Sequence, residues 1–273
     1  MPRILHVSDL HFGAPSVPAQ VAALEQIVER GRFNAIVISG DLTQRTRKSE
    51  FAQAQAFIAR CEKHAPVLTI AGNHDTAWWL APAGIGFTSV MHARYRKYIN
   101  KNLEPVLRIP GITIVGLNSS HGIQPFTLTS RPRDLSVVGA IKDEQWASAR
   151  AAFRASPAGD FKVLVVHHNI LRGRLSNRWG LVNREAGIAQ AAGTGADIVL
   201  CGHDHQERIE QVRVGDRLLV VSTANTLTTR VRGDLPASFN IVTAADELIT
   251  VTPWLWNKSA QSFAAGVDQC FRP

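Results

Sequence analysis

The amino-acid sequence predicts an α/β fold in which two mixed β-sheets pack face to face and helices cover their outer faces. Up to residue 206, short β-branched apolar runs alternate with longer segments of helical periodicity, as in βαβ units with parallel strands. After residue 206 the apolar runs are joined by turns rather than helices, which favours antiparallel pairing. Each strand and helix needs a partner for its apolar face, and two sheets between two helical layers supply one.

The individual elements follow from these periodicities. In residues 50–63, for example, Phe51, Ala54 and Phe57 fall on one face of a helix together with Ile58. The strands predicted before residue 206 are 4–7, 35–38, 67–70, 112–117, 163–166 and 198–200, and the helices are 17–30, 50–63 and 143–154. The strands predicted after it are 209–214, 218–222, 239–243 and 248–256.

The composition indicates a chain with a full hydrophobic core. Hydrophobic residues make up 45% of the 273 residues and charged residues 19%. Because the polar motifs described below run from residue 9 to residue 205, we expect residues 1–273 to form a single domain. The three cysteines include no Cys-x-x-Cys pair, and no apolar run is long enough for a transmembrane segment. A strand that begins at Ile4 leaves no room for a signal peptide, so we expect a cytoplasmic protein.

The chain is basic, with a formal net charge of +8 and a pI of about 9.9. A basic surface attracts phosphorylated small molecules, phospholipid and nucleic acid alike. Nucleic acid is therefore a possible partner but not the favoured one. The sequence does not predict the oligomeric state.

Five short polar motifs contain the residues with metal-binding chemistry. They are Asp9-Leu10-His11, Gly40-Asp41, Gly72-Asn73-His74-Asp75, His167-His168 and Gly202-His203-Asp204-His205. Each follows the C-terminal end of a predicted strand, where the ligand sites of α/β sheets gather. Carboxylate, amide and imidazole donors suit Zn, Mn, Fe or Co, and two ions about 3.5–4 Å apart form a clamp for in-line attack on phosphorus. The motifs therefore predict a dinuclear metallophosphoesterase.

In order and spacing, these motifs resemble those of the calcineurin-like metallophosphoesterase superfamily, which includes the purple acid phosphatases. The resemblance covers residue 4 to about residue 225 and implies a four-layer αββα sandwich with two divalent metal ions (Mn, Fe, Zn or Mg) at the strand ends. It also implies a role for each ligand. Asp9, His11 and His205 would hold the first metal, Asn73, His167 and His203 the second, and Asp41 would bridge the two.

The same resemblance implies that His74 faces the substrate and protonates or stabilises the leaving oxygen, while a hydroxide formed between the metals attacks in line. Asp75 is expected to hold the tautomer of His74 and to raise its pKa. His168 either lines the cleft or supports the ligands from behind. His121 is expected to be a surface or core residue, although it follows a strand and could reach substrate. Several arginines near the motifs could each grip a phosphate or simply form a solvated rim: Arg45, Arg47, Arg172, Arg174 and Arg178.

Within the superfamily, the chain most resembles bacterial class III cyclic nucleotide phosphodiesterases. The compact length, the run Gly40-Asp41-Leu42-Thr43 and the pair His167-His168 carry this likeness. The resemblance implies a small phosphodiester substrate, with a cyclic nucleotide as one candidate. The chain departs from that group where His-His-Pro-Pro is replaced by His167-His168-Asn169-Ile170, so specificity for cyclic AMP does not follow.

Three alternatives remain open on the same motifs. Bacterial repair exonucleases share Gly-Asn-His-Asp but are longer and carry a partner-binding extension. Lipid-headgroup pyrophosphatases have Arg where His74 stands, although the apolar stretch Trp78-Trp79-Leu80 could cap an acyl chain. Non-catalytic scaffolds of this type have lost ligands, whereas every expected ligand is present here.

Overall fold

The computed structural model of the chain describes residues 1–77, 88–124, 127, 137–175, 180–182, 184–245 and 248–272. The strands are β1 (Arg3–Val7), β2 (Ala35–Ile38), β3 (Val67–Thr69), β4 (Val106–Ile109), β5 (Ile112–Leu117), β6 (Phe161–Val166), β7 (Ile198–Cys201), β8 (Arg208–Val214), β9 (Arg217–Thr223), β10 (Ser238–Ala245), β11 (Leu248–Asn257), β12 (Ser262–Ala265) and β13 (Gln269–Phe271). The helices are α1 (Pro18–Arg30), α2 (Lys48–Cys61), α3 (Thr88–Met91), α4 (Ala93–Tyr98), α5 (Asp143–Arg154) and α6 (Arg184–Gly193), with a 3₁₀ turn at Asn73–Asp75.

The strands form two mixed sheets, which confirms the predicted α/β fold. The first sheet has the order β12-β11-β10-β1-β2-β3, with β13 paired to β11, and the second has the order β4-β5-β6-β7-β9-β8. The strands β1, β2 and β3 are parallel, as are β5, β6, β7 and β9. The ends of these parallel strands therefore point in one direction within each sheet, and they carry the polar motifs.

Three apolar clusters separate the sandwich into four layers. Side chains such as Ile4, Val37 and Val163 fill the space between the two sheets. The outer face of the first sheet packs on α1 and α2, and the outer face of the second packs on α5 and α6. Strands buried on both faces read as continuous apolar runs, which explains why β2 and β5 were visible in the sequence.

The antiparallel pairing expected after residue 206 is only part of the arrangement. The hairpins β8–β9 and β10–β11 are antiparallel as predicted. However, β9 joins β7 in parallel and β10 returns to pair with β1. Burial explains the choice of neighbour, because β9 is almost wholly buried, whereas β8 is largely half-exposed and forms the sheet edge.

Six described elements lie outside the predicted set: α3, α4, α6, β4, β12 and β13. The strands among them are short and have exposed positions, as expected at or near sheet edges. Helix α6 has the sequence REAGIAQAAG, in which small residues replace the large apolar stripe that marks an amphipathic helix. None of the helices in the described ranges is both long and apolar enough to cross a bilayer.

Glycines allow the two sheets to approach closely where the motif-bearing strands end. Gly40, which follows β2, has a φ of +100°, and a Cβ there would lie 2.6 Å from Nδ1 of His167 in the other sheet. Gly202, which follows β7, faces the first sheet in the same way, because its Cβ would overlap the side chain of Ser8. The sheets can therefore approach closely at this end because glycine has no Cβ at these two positions.

Gly40→Ala should destabilise the protein by roughly 2–5 kcal/mol, because it combines a left-handed backbone with a steric overlap. Denaturant unfolding of the variant measures the loss. Gly193→Ala serves as the control, because Gly193 lies in α6 and a Cβ there meets nothing within 4 Å. Equal stability of the Gly40→Ala variant and the native protein would contradict the close approach of the sheets.

Candidate metal centre

The seven predicted metal ligands come together at the carboxyl ends of the strands. Asp9 and His11 follow β1, Asp41 follows β2, and Asn73 opens the 3₁₀ turn after β3. The second sheet contributes the three remaining imidazoles, His167 after β6 and His203 and His205 after β7. Residues separated widely in the chain therefore meet because parallel strands end at the same edge.

A first group consists of Asp9, His11, Asp41 and His205, all of them buried, with ligand atoms within 4.8 Å of one another. Nε2 of His11 lies 3.7 Å from Oδ1 of Asp9 and 3.6 Å from Oδ2 of Asp41. Nε2 of His205 lies 3.2 Å from Oδ1 of Asp9 and 3.0 Å from Nε2 of His11. These are the residues that the sequence assigned to the first metal and to the bridge.

A second group forms on the other side of Asp41. Nε2 of His167 lies 3.3 Å from Oδ1 of Asp41 and 3.1 Å from Oδ1 of Asn73. Nδ1 of His203 lies 3.0 Å from the same Asn73 oxygen. One oxygen of Asp41 therefore faces each group, which is the position that a bridging carboxylate requires.

Backbone carbonyls set the orientation of two of the imidazoles. Nδ1 of His167 donates to the carbonyl of Ser39 at 2.8 Å, and Nδ1 of His205 donates to the carbonyl of Arg230 at 3.0 Å. A carbonyl oxygen only accepts, so in the neutral ring the lone pair lies on Nε2, which faces the cluster. A hydrogen bond from the ring nitrogen that faces away from the cluster to a backbone carbonyl is typical of metal-binding histidines.

The donor set fits divalent cations. Oδ2 of Asp9 accepts the backbone N–H of His203 at 2.9 Å, whereas Oδ1 is buried and makes no hydrogen bond within the described residues. The lone pair of a neutral His205 points at this same Oδ1, so two acceptors face each other. Such a buried arrangement is unfavourable unless a metal cation or a proton lies between the two atoms, so the pair fits a metal site.

Neighbouring histidines offset the cost of burying the Asp41 carboxylate. Burial by itself would raise the pKa of this carboxyl, but His167 and His74 hold it well below its usual range. Burial lowers the pKa of His167, but the charge and hydrogen bond of Asp41 overcome this and raise it to about 9. Near neutral pH, metal uptake at His167 would therefore displace a proton.

Five of the seven residues have backbones in the left-handed region. Their φ angles are 54° at Asp9, 41° at His11, 53° at Asp41, 73° at His203 and 49° at His205. Non-glycine residues in this conformation each cost on the order of 1–3 kcal/mol, and they concentrate at functional sites. The strained turns point successive polar side chains toward one place.

The ring of His74 is held by a backbone group rather than by Asp75. Nδ1 of His74 donates to the carbonyl of Gln44 at 2.8 Å, which leaves Nε2 as the nitrogen available in the cleft. The backbone N–H of His74 donates to Oδ1 of Asp41 at 2.8 Å. The predicted contact between the Asp75 carboxylate and the His74 imidazole is therefore wrong.

Asp75 instead joins the turn after β3 to the loop after β2. The 3₁₀ turn directs its carboxylate into the interior, where it accepts the N–H groups of Leu42, Thr43 and Gly72 at 3.1, 2.8 and 2.9 Å. The hydroxyl of Thr43 also donates to it, at 3.0 Å. Asp75 is thus a positioning residue for both Asp41 and His74.

His168 supports the cleft from behind. Its Nδ1 accepts the hydroxyl of Ser119 at 2.8 Å, and its Nε2 donates to the carbonyl of Val137 at 2.9 Å. Burial, together with the neighbouring His203 and His167, keeps its pKa well below the usual range, so the ring is neutral. His121 is also buried but does not line the described part of the cleft.

A cleft of about 180 Å³ opens onto the two groups. Its lining comprises Asp41, Asn73, His74, Val137, Val138, Asn169, His203, Asp204, His205, Arg230 and Arg232. None of the arginines singled out from the sequence lines its described part. Arg45 and Arg47 are exposed elsewhere, Arg174 pairs with Glu210 at 2.7 Å, and Arg178 lies outside the described residues.

Arg230 and Arg232 are therefore functional candidates that motif reasoning missed. They follow β9, in a loop that contains none of the five polar motifs. The available signal was topological. Had the parallel pairing of β9 with β7 been predicted, the loop after β9 would have been expected at this edge.

Comparison with known proteins supports the same assignment. The family model described as calcineurin-like phosphoesterase matches residues 2–207. No curated protein sequence matches the chain significantly. Among solved structures, a purple acid phosphatase from yellow lupin seeds is 12% identical with a TM-score of 0.67, over 98% of this chain and 53% of that one. The chain thus spans about half the length of that phosphatase.

A second solved structure has a similar fold. It is GAP50 of Plasmodium, described as the anchor in the inner membrane complex, with 12% identity and a TM-score of 0.57. The match covers 99% of this chain and 88% of that one. At these identities the two structures support the fold alone, and the family model carries the assignment. The chain belongs to the calcineurin-like phosphoesterase family.

Proposed function

We propose that this protein is a dinuclear-metal phosphodiesterase that hydrolyses small phosphodiesters, cyclic nucleotides among them. Family membership and the Asp/His cluster indicate a metal-dependent phosphoester hydrolase with a two-metal site. One observation carries the proposal furthest. The Asp41 carboxylate lies between two ligand groups, with Oδ2 at 3.6 Å from His11 and Oδ1 at 3.3 Å from His167.

The proposed ligands are those described above, four residues to each ion with Asp41 shared. Mn, Fe, Zn and Mg all accept such oxygen and nitrogen donors, and mixed imidazole and carboxylate sets favour the transition metals among them. When bound, two such ions would supply Lewis acidity and activate water as the nucleophile.

The chain's own contribution centres on His74. Its Nδ1–H is committed to the Gln44 carbonyl, so a protonated ring would present Nε2–H to the oxygen that leaves phosphorus. The backbone N–H of His74 meanwhile donates to Asp41, which couples the position of the acid to that of the proposed bridge. The leaving oxygen would thus be protonated on the cleft side of the centre.

The preference for diesters rests on the resemblance of the Gly40–Thr43 run and of the histidine pair to class III phosphodiesterases. The sequence difference from that group after the histidine pair lies at the site, because Asn169 lines the cleft where that group has proline. Gly180 packs so closely on Asn169 that a Cβ there would overlap its backbone. This part of the wall therefore differs from the pattern of class III phosphodiesterases.

Substitution of His74 by alanine should lower kcat by about 10²–10⁴-fold on substrates with a poor leaving group, because those need protonation most. The metal content should stay at the native level, since no metal role is assigned to this ring. Kinetics on an alkyl diester together with elemental analysis give both values. His64→Ala, at an exposed histidine after α2, is the matched control. Full activity of His74→Ala on the alkyl diester would remove the acid role.

Asp41→Asn should be more damaging than His74→Ala, because both ligand groups lose the carboxylate that they share. We expect loss of most bound metal and activity below that of the His74 variant, measured by elemental analysis and diester hydrolysis. The control is Asp216→Asn, at an exposed position between β8 and β9. Retention of two ions in Asp41→Asn would contradict the bridging assignment.

The proposed specificity is tested with bis-p-nitrophenyl phosphate and p-nitrophenyl phosphate, each with added Mn and with chelator. We expect diester cleavage that depends on metal and is much faster than monoester cleavage. Faster cleavage of the monoester would refute the phosphodiesterase assignment while leaving the metallophosphoesterase in place. Failure to cleave either, with metal bound, would refute the proposed function.

A further inference from the structure

Arg230 lines the cleft, and its backbone and its side chain contact two different loops of the centre. Its carbonyl accepts Nδ1–H of His205 at 3.0 Å, and its Nη1 donates to Oε1 of Gln44 at 3.1 Å. Gln44 in turn uses its own carbonyl to hold the ring of His74. The residue thus links the loop after β9 to the loop after β2.

Both of these links lie on the Nδ1 side of an imidazole ring. His205 turns its Nε2 toward Asp9 and the cluster, while its Nδ1 points to Arg230. His74 likewise uses Nδ1 to contact Gln44, which contacts the guanidinium. Among the described residues, the guanidinium itself hydrogen-bonds to Gln44 and to none of the seven residues of the ligand cluster, where the oxygens of the attacked phosphate belong.

The guanidinium of Arg230 retains capacity for an anion. A guanidinium has five N–H donors in a planar fork that matches phosphate, and the amide oxygen of Gln44 is a neutral acceptor. The side chain is exposed, and among the described residues no carboxylate forms an ion pair with it. Arg232 differs, because its Nε lies 4.0 Å from the carboxylate of Asp204.

We propose that Arg230 binds a second phosphate of the substrate, one that is not attacked, so that the preferred substrates are organic phosphodiesters carrying an additional phosphate group. This inference rests on the proposed function, which places the attacked phosphate at the ligand cluster. Val137 and Val138 line the same cleft and offer apolar surface to the organic part of such a molecule.

The test compares two p-nitrophenyl diesters of a nucleoside monophosphate, one with and one without a second phosphate on the sugar. With the Mn-loaded protein, we expect the second phosphate to raise kcat/KM by about tenfold or more, the usual effect of a charge-assisted contact. Arg230→Gln should bring the ratio of the two kcat/KM values toward one. The substitution keeps the backbone carbonyl that holds His205.

Two further variants separate charge recognition from structural support. Gln44→Glu places a carboxylate against the guanidinium, so it should lower the same ratio without removing Arg230. Arg213→Gln removes an equal charge from an exposed position on β8, next to the β8–β9 turn, and should keep the native ratio. If the ratio of the two kcat/KM values fell as much in Arg213→Gln as in Arg230→Gln, the effect would be due to net charge alone and the inference would be overturned.

Calorimetry on the two nucleotide products gives a readout that does not need turnover. Tighter binding of the bisphosphate than of the monophosphate, by about tenfold and lost in Arg230→Gln, supports the second phosphate site even if neither diester is cleaved. Tighter binding of the bisphosphate without cleavage of either diester would refute the proposed hydrolysis but support the phosphate site at Arg230. Cleavage of both diesters with a native ratio near one, or a ratio unchanged in Arg230→Gln, overturns the inference and leaves the proposed function standing.

Discussion

Burial of charge at one end of the sandwich is the constraint on which the rest of the structure depends. Asp9 and Asp41 are almost completely buried, and removing a carboxylate from water costs several kcal/mol unless it is paired. Backbone N–H groups of His203 and His74 satisfy one oxygen of each. The remaining charge needs cations, or protons on the imidazoles. Because the pKa of His167 is raised to about 9, its imidazole can carry such a proton beside Asp41.

The backbone around these charges is held in place by hydrogen bonds from neighbouring loops. The left-handed turns at the ends of β1, β2 and β7 are kept by contacts from neighbouring loops rather than by local preference. The hydroxyl of Thr226 donates to the carbonyl of Asp9 at 2.6 Å, and Asp75 ties the loop after β2 to the turn after β3. A site held in this way can keep both ligand groups at a fixed separation, which two-metal chemistry requires.

The sequence predicted the features that depend on local pattern. Continuous apolar runs located the buried strands, and the motifs located the polar residues that cluster at the strand ends, because parallel strands end at one edge. Features that depend on tertiary packing were not accessible. Asp75 adjoins His74 in sequence, yet the 3₁₀ turn directs its carboxylate inward, and nothing in the residue types signals this. Arg230 was missed because its place at the cleft follows from the pairing of β9 with β7.

The position of β1 bears on how the chain folds as it is synthesised. One neighbour of β1 is β2, which begins at Ala35, but the other is β10, which begins at Ser238. A ribosome would therefore release β1 with one bare edge long before its second partner exists, and unpaired edges invite association with other chains. The imidazoles of His203 and His205 emerge almost as late. A metal ion that met the nascent chain early would find only two carboxylates, one amide and one imidazole of the proposed ligand set, so we expect stable loading at the last stage of folding.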